Sequence, residues 1–465
     1  MHHTSVKGRI DFTEGKLLKK VLFFAIPMVL STYLQLLFNV ADMAVVGRFA
    51  GTVYQAAVGS TSSAIHLITN LVIGCSVGAN VAMATAFGAK DEEGQSRVVH
   101  TSMALSVVSG ILVMIVGLAV TKPLLVALHT PKEVLPYAVT YMQIYFLGVP
   151  ANSIYNFGAS LFRGIGETKK PLFYLFVSGV INIGINIVTV VFFDMHVVGV
   201  ALGTIISQYV AAVWVTIDLM KEKSAAKYSL KKTRFYKKEL LEVLRLGVPT
   251  GINSSLFSVA NILIQSTINS YGDIVIAGTA VGVQVDSFID GLNGSFGRVV
   301  VTIVGQNIGA KKPERVKRTL VDGLGLCWAF QLVLIGVIAF FGQYIYSLFN
   351  ADPEVIAQAM IRRRYTSFFY MLAATMEIFS ATLRGMGYSL FPMFINIFFT
   401  CVFRVVWVLA IYPLFPRVEM VYVAYPITWT LSSIAQIVVC LLVYRKKYGK
   451  RREKTELQNG EIASQ

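Results

Sequence analysis

A single carboxylate lies late in a stretch of hydrocarbon length. Residues 25–51, AIPMVLSTYLQLLFNVADMAVVGRFAG, are apolar and long enough to cross a bilayer, yet they carry Pro27 early and Asp42 late. An ionisable group is costly there, so it normally faces a cavity or a bundle interior. Gln35 and Asn39 share a helix face and Asp42 lies three residues on, so the three form one polar row. Asn182 and Asn186 have the i,i+4 spacing that lets two groups address one ligand, or bond across to a neighbouring helix. Asn152 and Asn156 repeat that spacing. For Gln35, Asn39, Asn152 and Asn156, substrate contact and helix packing are both open readings.

The second half carries charges of both signs inside apolar segments: Asp286, Asp290, Arg298, Glu377 and Arg404. An unpaired one is expensive, so mutual neutralisation in structural or gating ion pairs is expected, with proton or substrate handling the alternative. At 1.5 Å per residue, Glu377 lies ~10 Å from Arg384 and Arg298 ~16 Å from Gly309, depths that suit a Glu377–Arg298 pair, with Arg404 deeper. Arg362, Arg363 and Arg364 would fit a bent, interfacial helix start. His66 and His100 suit either proton relay or hydrogen-bonded structure. Cys75, Cys327, Cys401 and Cys440 stand singly in apolar runs, without metal spacing, and read as core residues. No H-E-x-x-H, G-x-S-x-G or P-loop pattern occurs, so no enzyme and no cofactor is expected.

These residues must be positioned by membrane helices. The chain of 465 residues is 55% hydrophobic and 14% charged, against about one quarter charged in soluble domains. Twelve helical spans can be drawn, at 17–47, 53–86, 97–120, 135–161, 171–193, 197–219, 241–269, 275–306, 317–345, 356–382, 389–412 and 420–444. The net charge of +16 is concentrated before the first span (Lys16, Lys19, Lys20), between the sixth and seventh (Lys231, Lys232, Arg234, Lys237, Lys238) and after the last (Arg445, Lys446, Lys447, Lys450 to Lys454). The opposite loops hold little beyond Arg48, Lys122, Lys132 and Arg417. The positive-inside rule therefore places both termini in the cytoplasm of a multi-pass plasma-membrane protein, and the charge reports topology rather than nucleic-acid binding. The lipid bilayer is the expected surrounding, and no removable signal peptide is expected.

The halves restate each other at a shift of about 222 residues. Pro27 answers Pro249, Asn39 answers Asn261, the AVG at Ala57 answers that at Ala280, and the GAK at Gly88 answers that at Gly309. LFRGIG at Leu161 answers LRGMG at Leu383, and Pro171 answers Pro392. The fold expected is all-α: two six-helix lobes, 1–220 and 241–446, related by a pseudo-twofold axis along the membrane normal. A basic linker (221–240) joins them and a tail (447–465) follows. Parallel halves of this kind usually hold substrate at their interface and alternate its access by rocking. Pro27 and Pro249 should bend their helices.

Taken together, IPMVLSTYLQLLFNVADMAVVG, the GAK ends, VGQNIGAKKPERVKR, LFRGIGETKKP and LRGMGYSLFP resemble the multidrug and toxic compound extrusion (MATE) family of cation-coupled antiporters over nearly all of residues 15–447. The resemblance is closer to the DinF-like branch. It implies a cation site of Asp42 in the first span, Asn182 and a second acid in the fifth, and Thr204 in the sixth. Asn186 replaces that acid here, so the set is one carboxylate and three neutral groups, suited to H⁺ or Na⁺; no other metal is expected. The acid of the NorM-like branch is absent, since Ser255-Leu256-Phe257-Ser258 stands in its place. The implied function is antiport of H⁺ or Na⁺ against amphipathic, often cationic, drugs by a monomer. A lipid-linked oligosaccharide flippase is the runner-up, disfavoured because the first lobe is poor in deep Arg or Lys.

Overall fold

A computed structural model describes residues 9–128 and 130–449. The first eight residues and the tail lysines from Lys450 onward, part of the expected cytoplasmic basic segments, lie outside them. Among the described residues the fold is all helical, the form that satisfies backbone groups internally where no water is present. α1 (Leu17–Val45), α2 (Thr52–Gly88), α3 (Glu92–Ala127), α4 (Leu135–Gly164), α5 (Lys169–Ile187) and α6 (His196–Met220) form the first lobe. α7 (Lys237–Ile268), α8 (Asp273–Gly309), α9 (Pro313–Ser347), the pair α10 (Pro353–Thr366) and α11 (Tyr370–Gly385), the short α12 (Leu390–Asn396) and α13 (Phe403–Val406), and α14 (Val418–Tyr444) form the second. π-helical turns extend α1 at Val46–Ala50 and α5 at Val188–Phe192, and others join α12 to α13 and extend the latter.

Among the described residues, ten helical passages are long and apolar enough to cross a membrane. The other two of the twelve are α4, with its polar face, and the α10–α11 passage, which breaks at residues 367–369. α1 runs unbroken through Pro27, whose carbonyl accepts from Ser31 Oγ at 2.7 Å. Helix starts are set locally: Asp91 Oδ1 accepts from Gly94 N at 2.8 Å and Asp352 Oδ1 from Glu354 N at 2.8 Å.

The duplication extends to the backbone. Gly51 and Gly272 turn the first hairpin of each lobe with φ of +110° and +88°. The lysines of the two GAK motifs, Lys90 and Lys311, adopt φ of +57° and +59°. Such left-handed values are uncommon outside glycine, so their recurrence marks one hairpin design used twice.

The lobes meet along α2 and α7, with α8 against α1 and α2. Small residues permit the approach. A Cβ at Gly74 would stand 2.2 Å from Gly251 N, one at Gly78 2.2 Å from Val243 O, and one at Gly309 2.0 Å from Thr85 O. Hydrogen bonds cross the same end: Thr302 Oγ1 donates to Asn80 Oδ1 at 3.0 Å and Gln306 Nε2 to Gly164 O at 2.9 Å. The molecule is closed where the GAK motifs lie. Gly78→Val should force α2 off α7 against rigid backbone, costing about 1–3 kcal/mol or more; a lowered melting temperature in detergent is the expected reading.

A strap over that end precedes α1. Ile10 N donates to Gly166 O of the first lobe at 3.1 Å, and Phe12 N donates to Gln306 Oε1 of the second at 3.2 Å. Lys312 Nζ holds Thr13 O at 2.9 Å, and Arg315 holds Phe12 O and Gly15 O at 3.1 and 3.0 Å. Arg9 pairs with Glu222 at 2.6 Å. Burial opposes the Glu222 charge, but the Arg9 guanidinium and two backbone amides outweigh it and hold the carboxyl below its usual range. The linker packs on α3: Ser229 N donates to His100 Nε2 at 3.1 Å and Tyr236 N to Thr101 Oγ1 at 3.2 Å. His100, buried with its other nitrogen 2.6 Å from Ser96 O, is thus a bonded structural group.

Candidate functional site

Between the lobes lies a cavity of about 1500 Å³. It runs from Arg163 and Arg384, near the sealed end, to Thr130 and Asn269 at the opposite end. Asp42 faces it from the last turn of α1. Asn186 Nδ2 donates to Asp42 Oδ1 at 2.6 Å. The Asn182 amide is oriented by its neighbours, with its nitrogen 2.8 Å from the same Asp42 oxygen and its oxygen 3.2 Å from Thr204 N. Asp42, Asn182, Asn186 and Thr204 therefore come together, although α1, α5 and α6 are far apart in sequence. Thr204 meets Asn182 through its backbone amide, and its hydroxyl, which lines the cavity, donates to Val200 O of its own helix at 3.0 Å and keeps its oxygen lone pairs. Among the described residues no cation pairs with Asp42.

Two oxygens at this site have no partner among the described residues: Asp42 Oδ2, to which no donor is directed, and Asn186 Oδ1, which is buried. Gly203 makes room for the latter, since a Cβ there would stand 2.0 Å from Asn186 Oδ1. Gly203→Ala should therefore drive Asn186 away from Asp42. A fall in melting temperature in detergent at least as large as that of Asn186→Ala, measured side by side, is the expected outcome.

Gln35 and Asn39 are exposed to the cavity on the same face of α1 as Asp42, and Asn152 and Asn156 line it from α4. Asn156 Nδ2 donates to Asn152 Oδ1 at 2.9 Å, so this pair is bonded internally. His66 also lines the cavity.

The charges of the second lobe pair differently from expectation. Arg362 is buried, donating to Asp286 Oδ2 from Nε at 3.1 Å and from Nη2 at 2.9 Å, rather than sitting at an interfacial helix start. Tyr422 and Tyr425 flank its guanidinium at 5.6 and 5.2 Å, and the break after α10 allows the helix to bring it inward. Arg363 caps the carbonyl of Ile338 at 2.7 Å. Glu377 pairs with Arg384, two turns along the same helix face, and not with Arg298. Arg298 instead reaches α1, where Nη2 donates to Thr32 Oγ1 at 2.8 Å. Arg404 is fully buried with no carboxylate in contact among the described residues: Asn261 Oδ1 at 3.2 Å and the Tyr425 ring at 4.4 Å receive it. Asp290 is exposed to the cavity and has no ion pair among the described residues. Arg163, treated in the sequence only as part of a repeated motif, also lines the cavity; its duplication with Arg384 was the signal available.

A cavity between two internally repeated helical lobes, with one carboxylate held by amides on its wall, has a counterpart in known sequences. The MatE family's sequence model matches residues 27–188 and again 249–409. The chain belongs to the MatE family. YoeA of Bacillus subtilis, described as a "probable multidrug resistance protein", is 31% identical over 92% of this chain and 94% of its own. MepA of Staphylococcus aureus, a multidrug export protein, is 22% identical over 81% of this chain and 83% of its own. The fold is shared with a MOP superfamily transporter from Pyrococcus furiosus, at a TM-score of 0.89 and 21% identity over 95% of this chain and 99% of that one. The MatE repeat thus spans the halves that carry Asp42 and Asp286 alike, while only the first holds a carboxylate framed by amides.

Proposed function

We propose that this MatE-family chain exports varied amphipathic compounds, often cationic, in exchange for an inward-moving H⁺ or Na⁺. The observation that carries the reading is Asp42, facing the central cavity with both Asn182 and Asn186 donating to one of its oxygens and no cation paired with it among the described residues. The second oxygen is free to take a proton or, with Asn186 Oδ1, to contribute to a hard-cation site. Either event removes a negative charge from the wall and rearranges the amides, and so biases α1 against its neighbours.

The names of the relatives support multidrug export, and the residue set supports placement near the DinF-like branch. The basic residues at the sealed end support a cytoplasmic location for that end and an outward-facing cavity. The cavity is complete within one chain, so a monomer suffices. Proteoliposome efflux of a cationic dye, with Na⁺ and pH gradients imposed separately, tests the reading. One gradient should drive efflux; equal dye retention under both would overturn it.

A further inference from the structure

The inner floor of the cavity is cationic. Arg163 from α4, Arg298 from α8 and Arg384 from α11 line it, with Glu377 the one acid among them. They gather around Arg298: the charges of Arg163, Glu377 and Arg384 all reach it, and Glu377 touches Arg384. A Cβ at Gly297 would stand 2.4 Å from Glu377 Oε1, and one at Gly294 3.6 Å from Arg298 Nη1, which puts the acid and the guanidinium on one stretch of α8. Glu377 is engaged by Arg384, so the cluster keeps two guanidiniums without a carboxylate.

Each guanidinium carries five N–H donors. Their acceptors among the described residues are few. Arg163 has Ser160 Oγ at 3.2 Å, Arg298 has Thr32 Oγ1 at 2.8 Å and Ser295 Oγ at 3.3 Å, and Arg384 has Glu377. Arg384 Nε is buried without any partner. Side chains from both lobes thus present spare, charge-bearing donors to one volume near the sealed end, and such donors match phosphate or carboxylate oxygens.

The unpaired acids lie elsewhere. Asp290 is eight residues before Arg298 on α8, ~12 Å further from the sealed end, and Asp42 is ten residues beyond Thr32 on α1, ~15 Å further. Once the Asp286–Arg362 and Glu377–Arg384 pairs are set aside, the cavity is polarised along its length, with unpaired carboxylates in its outer part and unpaired guanidiniums at its floor.

We propose that this floor is a binding subsite for the anionic head of an amphiphile, a phosphate or carboxylate, whose apolar body occupies the cavity above. This rests on the cavity being the substrate chamber, and it adds to that reading a class of cargo with an acidic end. It makes no use of ion coupling, so equilibrium binding tests it even where exchange at Asp42 fails.

The test uses the full-length protein in phosphatidylcholine nanodiscs and three probes of equal chain length: dodecyl phosphate, dodecyl maltoside and dodecyltrimethylammonium. Dodecyl phosphate should bind more tightly than dodecyl maltoside. Arg163→Gln and Arg298→Gln should each weaken dodecyl phosphate about tenfold while leaving dodecyltrimethylammonium within about twofold. Arg298→Lys, which keeps the charge, should lose less than Arg298→Gln. Because Arg298 also holds Thr32, unchanged ammonium binding serves as the check on folding, and Arg163→Gln gives a variant free of that contact. Equal affinity for the phosphate and maltoside probes would overturn the proposal, as would equal weakening of the phosphate and ammonium probes by both glutamine variants. Replacing phosphatidylcholine with phosphatidylglycerol identifies the source. Competition against dodecyl phosphate assigns the subsite to a bilayer lipid head, and an unchanged affinity assigns it to a free amphiphile, with the subsite standing in both cases.

Discussion

Asp42→Asn should yield a folded protein in which imposed Na⁺ and pH gradients no longer drive efflux. The substitution is nearly isosteric, and the amide oxygen it introduces can still accept from Asn182 and Asn186, whose nitrogens lie 2.8 and 2.6 Å from Asp42 Oδ1 in the native site. What disappears is the ability to alternate between charged and neutral states. Helix packing, melting temperature and equilibrium binding of an apolar probe should stay close to wild type, while gradient-driven dye efflux in proteoliposomes falls to the passive leak. Full coupled efflux by Asp42→Asn would remove Asp42 from the mechanism. The second half offers no equivalent group, because the position answering Asp42 in the repeat is the buried, apolar Ile264.

Asp286→Ala should have the largest effect on stability. It strands the Arg362 guanidinium, which has only 4% of its side chain exposed and gives Asp286 two of its donors. Breaking a buried pair from one side leaves an uncompensated charge and costs about 3–5 kcal/mol. The two tyrosine faces at 5.2 and 5.6 Å recover only part of this. Thermal unfolding in detergent should show a large fall in melting temperature for Asp286→Ala and for Arg362→Ala. The double variant Asp286→Leu with Arg362→Met should recover much of it, since the desolvation penalty disappears with both charges. A single-variant loss below about 1 kcal/mol, the worth of a solvated pair, would show that the pair is reached by water.

The sequence made the parts of this site visible, but not always their partners. Asp42 stood out because a carboxylate in an apolar span is costly, and Asn182 and Asn186 because a four-residue spacing aligns side chains. Helix α6 was less legible. Thr204 contributes a backbone amide, which any residue type could supply, and the residue that shapes the contact is Gly203, whose effect is an absent side chain. Among the charges, rise per residue gave heights and not azimuths. Arg298 and Glu377 lie at compatible depths, yet the seven-residue spacing of Glu377 and Arg384 puts those two on one face, and that contact prevails. Arg362 was misjudged for another reason: three consecutive arginines suggest a wet surface, whereas a helix sends successive residues in different directions. One turns inward to Asp286, the next donates to carbonyls within α9, and Arg364 stays exposed.

The strap before α1 carries a consequence for handling the molecule. Its main chain is held by Gly166 on one lobe and by Gln306, Lys312 and Arg315 on the other. Separation of the lobes at that end must strip these bonds, each worth about 0.5–1.5 kcal/mol net, so the strap contributes several kcal/mol in favour of the sealed form. Residue 9 is already part of the clamp through Glu222. An affinity tag or fluorescent protein fused a few residues upstream would therefore pull on a conformational latch. Reporter and purification fusions belong on the other terminus.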